Sequence, residues 1–248
     1  MDWSNSIPGL ADRLRAARRV SVLTGAGVSA ASGVPTFRGE QGLWRRYRPE
    51  DLATAEAFAR DPVLLWEWYG WRRETIARCA PNAAHDVLAR WSQQDQRTTV
   101  ITQNVDDLHV KAGTARLVRL HGSIWELSCS NRCSTAGRRG WRDERVPIPG
   151  LPQCPHCQAL ARPAVVWFGE ALAETDLRTA LRATACDVFL TVGTSSVVYP
   201  AAGLVDQARR QGAFTVEINA EATPATGGVD LAIRAPAQEV LPEVNALL

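Results

Sequence analysis

The stretch TGAGVSAASGVPTFRG, residues 24–39, decides the fold. It follows RRVSVL, so an apolar run with strand character passes directly into glycines. Gly25, Gly27 and Ala30 fit the spacing G-x-G-x-x-A. The glycines allow a tight turn and a close backbone approach, and the N–H groups of a following helix then face an anion. A hydride-transferring dinucleotide enzyme needs an acidic residue about 20 positions further on, at the end of a second strand, to hold a ribose. Here that region is RGEQGLWRRYRPED, which lacks the character of a strand end, and no strand precedes Glu40. Two later strand ends supply other means of holding a ligand. VGTSS offers Gly193, Thr194 and Ser195, and EIN offers Asn219.

Outward from this loop, residues 50–94 turn helical, with Pro62 and Pro81 near helix starts. TTVITQN, RLVRLHGS, ARPAVVWFGE, CDVFLTVGTS and GAFTVEIN have strand character. Helical stretches near 174–185 and 198–211 separate the last three; DLAIRAP predicts a short last strand and QEVLPEVNALL a final helix. Strands alternating with helices predict an α/β protein: a Rossmann-like parallel sheet domain covered on both faces, with a smaller helical plus zinc-ribbon domain. The sheet domain is expected to comprise residues 1–40, 84–123 and 162–248, and the smaller one residues 41–83 and 124–161. The cleft between them is the expected site.

Composition narrows the function classes. The 248 residues, 46% of them hydrophobic, suffice for one core with a smaller appended module. The net charge is +2, which argues neither for nor against nucleic acid; Lys111 is the only lysine, the arginines are scattered, and no nucleic-acid partner is expected. No apolar segment approaches the ~20 residues of a membrane span, and the first residues carry no apolar signal core. The expected location is the cytoplasm. Four of the six cysteines form two pairs, Cys129 with Cys133 and Cys154 with Cys157, with 20 residues between the pairs. Such pairs point to metal before disulfide, and four thiolates close the shell of a structural zinc. Cys79 and Cys186 are expected to be buried free thiols.

Three further stretches carry chemistry. TQNVDDLH places Asn104 and Asp106 at a strand's carboxyl end, where an amide beside an acid can meet a carboxamide or can form an Asx turn. RLHGS places His121 directly after a strand; an imidazole there can take a proton from a hydroxyl or can be structural. WEWYGWRRE carries Tyr69 and Arg72 on one helix face. On pattern alone that stretch is an amphipathic helix with an aromatic core stripe and solvated arginines.

GAGVSAASGVPTFRG, TQNVDDLH, LHGS, the paired cysteines, VVWFGE, VGTSS and EIN, in this order, resemble the sirtuins, the Sir2-type NAD-dependent protein-lysine deacylases. The resemblance covers residues 10 to 245. It implies that NAD is consumed: the nicotinamide–ribose bond breaks, the acyl-lysine carbonyl oxygen attacks that carbon, and a histidine acts as base on a ribose hydroxyl. Products would be free lysine, nicotinamide and O-acyl-ADP-ribose. By this resemblance His121 is the base. Gly25, Ala26, Gly27 and Ser29 belong to the phosphate loop. Thr36, Phe37 and Arg38 belong to a mobile cofactor-binding segment that closes over the nicotinamide. Gln103, Asn104 and Asp106 hold the reacting end, while Gly193, Thr194, Ser195, Asn219 and Ala237 complete the cofactor site. Val166, Trp167, Phe168, Gly169 and Glu170 give an extended edge to the substrate peptide.

The helical stretch resembles more closely the class III, desuccinylase- and demalonylase-like sirtuins. There a Tyr-x-x-Arg pair reaches the acyl channel, and a small residue, here Ala53, widens it. That likeness implies that Tyr69, Arg72 and Ala53 select succinyl and malonyl groups, with acetyl removal persisting. Zinc is implied as structural and acyl-lysine proteins as partners; a monomer is the expected working form. The chain departs from the usual pattern in its first cysteine pair, spaced by three residues, and at Val34, Thr36, Ala164 and Ala235. Rival readings are a Sir2-like mono-ADP-ribosyltransferase or NAD hydrolase, a non-enzymatic nucleotide sensor, and a dehydrogenase. His121 argues against the sensor, and the absent ribose acid against the dehydrogenase.

Overall fold

A computed structural model describes residues 3–37, 48–94, 97–133 and 140–248. In chain order, helix α1 (Ile7–Ala16) leads to strand β1 (Val20–Thr24) and the short helix α2 (Gly27–Ala30). Helices α3 (Pro49–Leu52), α4 (Ala55–Arg60), α5 (Pro62–Ala77) and α6 (Ala83–Gln94) follow. Next come β2 (Thr98–Thr102), α7 (Leu108–Lys111), β3 (Leu117–Arg119), β4 (Gly122–Cys129), β5 (Trp141–Arg142) and β6 (Ala161–Val165). The chain ends with α8 (Glu174–Ala183), β7 (Val188–Val192), α9 (Leu204–Arg210), β8 (Phe214–Ile218), β9 (Leu231–Ile233) and α10 (Ala237–Ala246).

Six strands form one sheet in the order β3-β2-β1-β7-β8-β9, and every neighbouring pair is parallel. Counted only within this sheet, that is the 3-2-1-4-5-6 order of the doubly wound fold. The central strands β1 and β7 are buried along their whole length because both faces are covered. Alternation along β7 shows it: Val188, Leu190 and Val192 pack with α1, α6 and α10, while Phe189 packs on the opposite side with α8 and α9. The strand order reverses between β1 and β7. A crevice at the carboxyl ends of these two strands follows from that reversal.

The run ARPAVVWFGE makes a strand, but not in the parallel sheet. Its β6 pairs antiparallel with β4, which also pairs with β5, giving a separate three-stranded sheet. This sheet and helices α4 and α5 share their own core, built on Leu65, Trp66, Tyr69, Ile76, Ile124, Leu127 and Trp167. The long helical region divides where its sequence caps allow. Thr54 accepts the Ala57 N–H at 3.0 Å to start α4, and Asp61 accepts the Leu64 N–H at 3.0 Å, with Pro62 first in α5. Among the described residues no helix is long and apolar enough to cross a membrane.

Candidate active site

Glycine brings the phosphate loop against the next strand. A Cβ on Gly25 would stand 2.7 Å from Thr194 Cα, and one on Gly27 would stand 2.7 Å from the Gly193 carbonyl oxygen. Gly193 itself has φ +59°. Two backbone bonds lock the approach: Gly25 N–H donates to Val192 and Gly27 N–H to Gly193. Only glycine permits this approach. The turn lies at the switch point, at the mouth of a cleft of about 790 Å³.

The cleft collects residues from most of the stretches singled out in the sequence. Gly25, Ala26, Gly27, Thr36 and Phe37 line it, with Gln103, Asn104 and His121 from the ends of β2 and β3. Gly193, Thr194, Ser195, Asn219 and Ala237 line its far side. Ala53, Tyr69, Arg72 and the run Val166, Trp167, Phe168, Gly169 and Glu170 line the rest. Arg38 lies outside the described residues. Ser29 and Asp106 do not line the cleft but stand behind it. The Ser29 hydroxyl donates to Asp106 Oδ2 at 2.8 Å, and Asp106 Oδ1 accepts the Leu108 N–H at 2.8 Å. Asp106 thus forms the Asx turn that its position allows and also supports the wall. Burial raises its pKa, opposed by these two hydrogen bonds.

His121 is oriented by the backbone. Its Nδ1–H donates to the Gln103 carbonyl at 2.9 Å, which leaves Nε2 as the proton acceptor. Burial lowers its pKa, so the ring is neutral and basic near pH 7. The Val166 N–H donates to the His121 carbonyl, tying the imidazole's strand end to the VVWFGE run. Strand β6 ends at Val165, and the four residues Trp167–Glu170 fold into a turn instead of extending the edge. Glu170 closes that turn by accepting the Trp167 N–H at 2.9 Å while Arg162 holds its carboxylate. The Phe168 N–H donates to the Ala53 carbonyl, which fixes Ala53 beside the run.

On α5 the arginines are not solvated. Arg72 is 7% exposed and Tyr69 2%. The Arg72 guanidinium stacks 4.9 Å from the Phe37 ring, 4.9 Å from Trp68 and 5.7 Å from Tyr69. Among the described residues no carboxylate lies within ion-pair distance of it. Tyr69 Oη accepts the Trp167 Nε1–H at 2.9 Å, so its own proton is free to donate. Burial raises the Tyr69 pKa and keeps the phenol protonated. Burial also lowers the Arg72 pKa, yet a guanidinium stays charged in any protein.

Residues 25–200 match the family model described as the Sir2 family. The chain belongs to the Sir2 family. A relative named NAD-dependent protein deacylase, from Pyrococcus furiosus, is 49% identical over 228 residues, 89% of each chain. The solved structure of a Sir2 homologue–NAD complex is 43% identical, with a TM-score of 0.89 over 97% of this chain and 95% of that one. A structure described as Sir2–p53 peptide–NAD+ is 29% identical, with a TM-score of 0.81 over 96% of both chains.

In this Sir2-family chain the four paired cysteines converge. Their sulfurs all lie within 4.8 Å of one another, with Cys129 and Cys157 at 3.4 Å and Cys133 and Cys154 at 3.6 Å. Four sulfurs at about 2.3 Å from one tetrahedral ion stand about 3.8 Å apart, so the donor set fits zinc. Cys186 is buried as expected, whereas Cys79 is only partly buried and donates to the Thr75 carbonyl.

The structure also shows residues behind the site that the sequence patterns did not reveal. His85 and His109 are buried with ring centroids 4.8 Å apart. His85 Nδ1 accepts the Asn82 N–H, so its Nε2–H points at the Ser29 hydroxyl, 3.3 Å away. Asn104 Nδ2 also donates to that hydroxyl. Ser29 is therefore held from three sides. A histidine two residues into a helix carries no local signal of this; the partner lies 56 positions earlier.

Proposed function

We propose that the chain is an NAD-consuming protein-lysine deacylase that removes succinyl and malonyl groups as well as acetyl. The buried Arg72 beside the cleft, hydrogen-bonded to Tyr69 and with no ion pair among the described residues, carries the acyl reading. Desolvating a guanidinium costs several kcal/mol, and each ring stacked on it returns about 0.5–2 kcal/mol. A carboxylate at the end of an acyl chain would complete the balance with two parallel hydrogen bonds from Arg72 and a third from Tyr69. Ala53 leaves room for that longer group. Acetyl fits the same channel without using Arg72.

NAD supplies an anomeric carbon that accepts the acyl oxygen as nicotinamide leaves. The chain's own residues provide the remaining functions. Backbone at Gly25, Ala26 and Gly27 would receive the phosphates, with Gly193, Thr194, Ser195, Asn219 and Ala237 on the adenosine side. Phe37, with Thr36 and Arg38 beside it, would cover the nicotinamide and exclude water from the reacting carbon. Gln103 and Asn104 would hold the carboxamide and reacting ribose, with Ser29 and Asp106 fixing them from behind. His121 Nε2 would take the proton of a ribose hydroxyl, which its neutral form allows. Val166 to Glu170 would dock the peptide beside the acyl-lysine. Cys129, Cys133, Cys154 and Cys157 would hold a structural zinc with no open position for water. We place helices α3 to α5 and the sheet of β4, β5 and β6 in the smaller domain, and the protein in the cytoplasm as a monomer.

The test compares succinylated and acetylated forms of one peptide. Replacing Arg72→Met should lower the succinyl-to-acetyl ratio of kcat/KM by about 10- to 150-fold, the worth of charged hydrogen bonds in a closed channel. An unchanged ratio contradicts the acyl reading. NAD consumption without release of free lysine contradicts deacylation and favours ADP-ribosyl transfer or NAD hydrolysis.

A further inference from the structure

Arg73 follows Arg72 on α5, and the two side chains leave the helix roughly 100° apart. Arg72 enters the cleft, while Arg73 turns away from it toward strand β4. Its side chain is 1% exposed. Its Nε donates to the Ile124 carbonyl at 2.8 Å, its Nη1 to Asp143 Oδ1 at 3.2 Å, and its guanidinium lies 5.6 Å from the Trp125 ring centroid. Nη2 is buried with no hydrogen-bond partner among the described residues. A bond left unmade at full burial is a poor choice for stability alone. The same arrangement is a good choice for placement, because a planar fork fixes direction as well as distance.

The other end of the contact is equally fixed. The Asp143 side chain is 5% exposed and accepts from Arg145. Its backbone N–H donates to the Trp125 carbonyl at 2.9 Å. Asp143 directly follows β5, in the segment between the two cysteine pairs. A ribbon carboxylate, a β4 carbonyl and an α5 arginine therefore meet at one buried point, about a quarter-turn of α5 from the cleft-facing Arg72.

We propose that Arg73 and Asp143 are positioning residues for acyl selection, their ion pair fixing α5 against β4 and so setting where Arg72 and Tyr69 stand in the cleft. This rests on the acyl reading above. Arg72 has ring contacts and a hydrogen bond with Tyr69 on the same helix but no ion pair among the described residues, so its placement follows the helix that carries it. Bidentate recognition of a carboxylate tolerates little displacement. An acetyl group presents no carboxylate to Arg72 and is insensitive to the same movement. The pair therefore affects acidic acyl groups selectively, which a general structural support would not do.

The experiment measures kcat and KM for succinylated and acetylated forms of one peptide at saturating NAD, with thermal unfolding alongside. Asp143→Asn should raise the succinyl-peptide KM about tenfold or more, since displacements near 1 Å can cost up to about 100-fold. Acetyl-peptide kcat and KM should stay within about twofold. Asp143→Glu, which keeps the charge, should recover part of the succinyl KM. If Asp143→Asn does not fold, Arg73→Lys, which keeps the charge and loses the Ile124 bond, is read by the same ratio. Equal loss for both acyl groups, or no change in either, overturns the proposal. If Arg72→Met also leaves the succinyl-to-acetyl ratio untouched, the acyl reading falls and this inference with it. If Arg72→Met lowers that ratio and the Asp143 variants do not, this inference alone falls.

Discussion

The two walls of the cleft are built on different principles. On the sheet side, position is set by backbone. Gly25, Gly27 and Gly193 stand so close that a single Cβ would meet main-chain atoms, and the bonds that hold them are N–H to carbonyl. On the α5 side, position is set by side chains. Arg72 is held by three rings and Arg73 by one carboxylate and one carbonyl. Backbone geometry recognises what every reaction of this site shares, the dinucleotide. On the proposed reading, side-chain geometry recognises what varies, the acyl group. Damage to the sheet wall should therefore affect all acyl substrates alike, and damage to the helix wall should change their ranking.

The strongest test of the sheet wall is His121→Ala. It should lower deacylation about 10³-fold for succinyl and acetyl peptides alike, as loss of a general base does. A loss confined to one acyl group would break the comparison.

Acid should act on the same side through His85 and His109. Burial pushes their pKa values down to about 4 and about 3, from 6.5 in an exposed imidazole. Between those values the unfolded chain binds more protons than the folded one. Stability is then complete above about pH 6.5 and is lost as pH falls toward 4. The loss should be on the order of 3 kcal/mol for His85 alone. Urea midpoints measured from pH 7 to pH 4.5 should fall, and fall less in His85→Gln. A flat profile would show that the two rings do not need to stay neutral.

Gly27→Ala places a Cβ 2.7 Å from the Gly193 carbonyl oxygen. It should cut kcat/KM for NAD about 100-fold, equally for each acyl peptide. The smallest effect belongs to the helix wall. Tyr69→Phe removes the acceptor for Trp167 Nε1 and, on the acyl reading, one hydrogen bond to an acidic acyl group. It should lower the succinyl rate about two- to tenfold while the acetyl rate moves less. Equal loss for both would mean that the phenol supports Trp167 and nothing more.

The two walls also differ in how far they could be read from sequence. The β1–loop–α2 turn is local, and an apolar run followed by spaced glycines marks it within eleven residues, Val20–Ala30. The carboxyl ends of β2, β7 and β8 could be read for the same reason. Strand β6 was legible as a strand but not as a partner of β4, because pairing across the cysteine segment leaves no local trace. α5 looked like a helix with wet arginines. Its burial depends on Asp143, 70 positions after Arg73, and on Trp167, 98 positions after Tyr69. His85 gave no signal because its contact with Ser29 exists only once α6 packs beside the phosphate loop.

One mass balance bears on the whole account. Wild-type protein is incubated with NAD and a succinyl-lysine peptide, and nicotinamide, free-lysine peptide and succinylated ADP-ribose are quantified together over the first turnovers. The three should rise in equal amounts. Nicotinamide released while the peptide keeps its succinyl group, or ADP-ribose formed without the acyl group, would contradict the account.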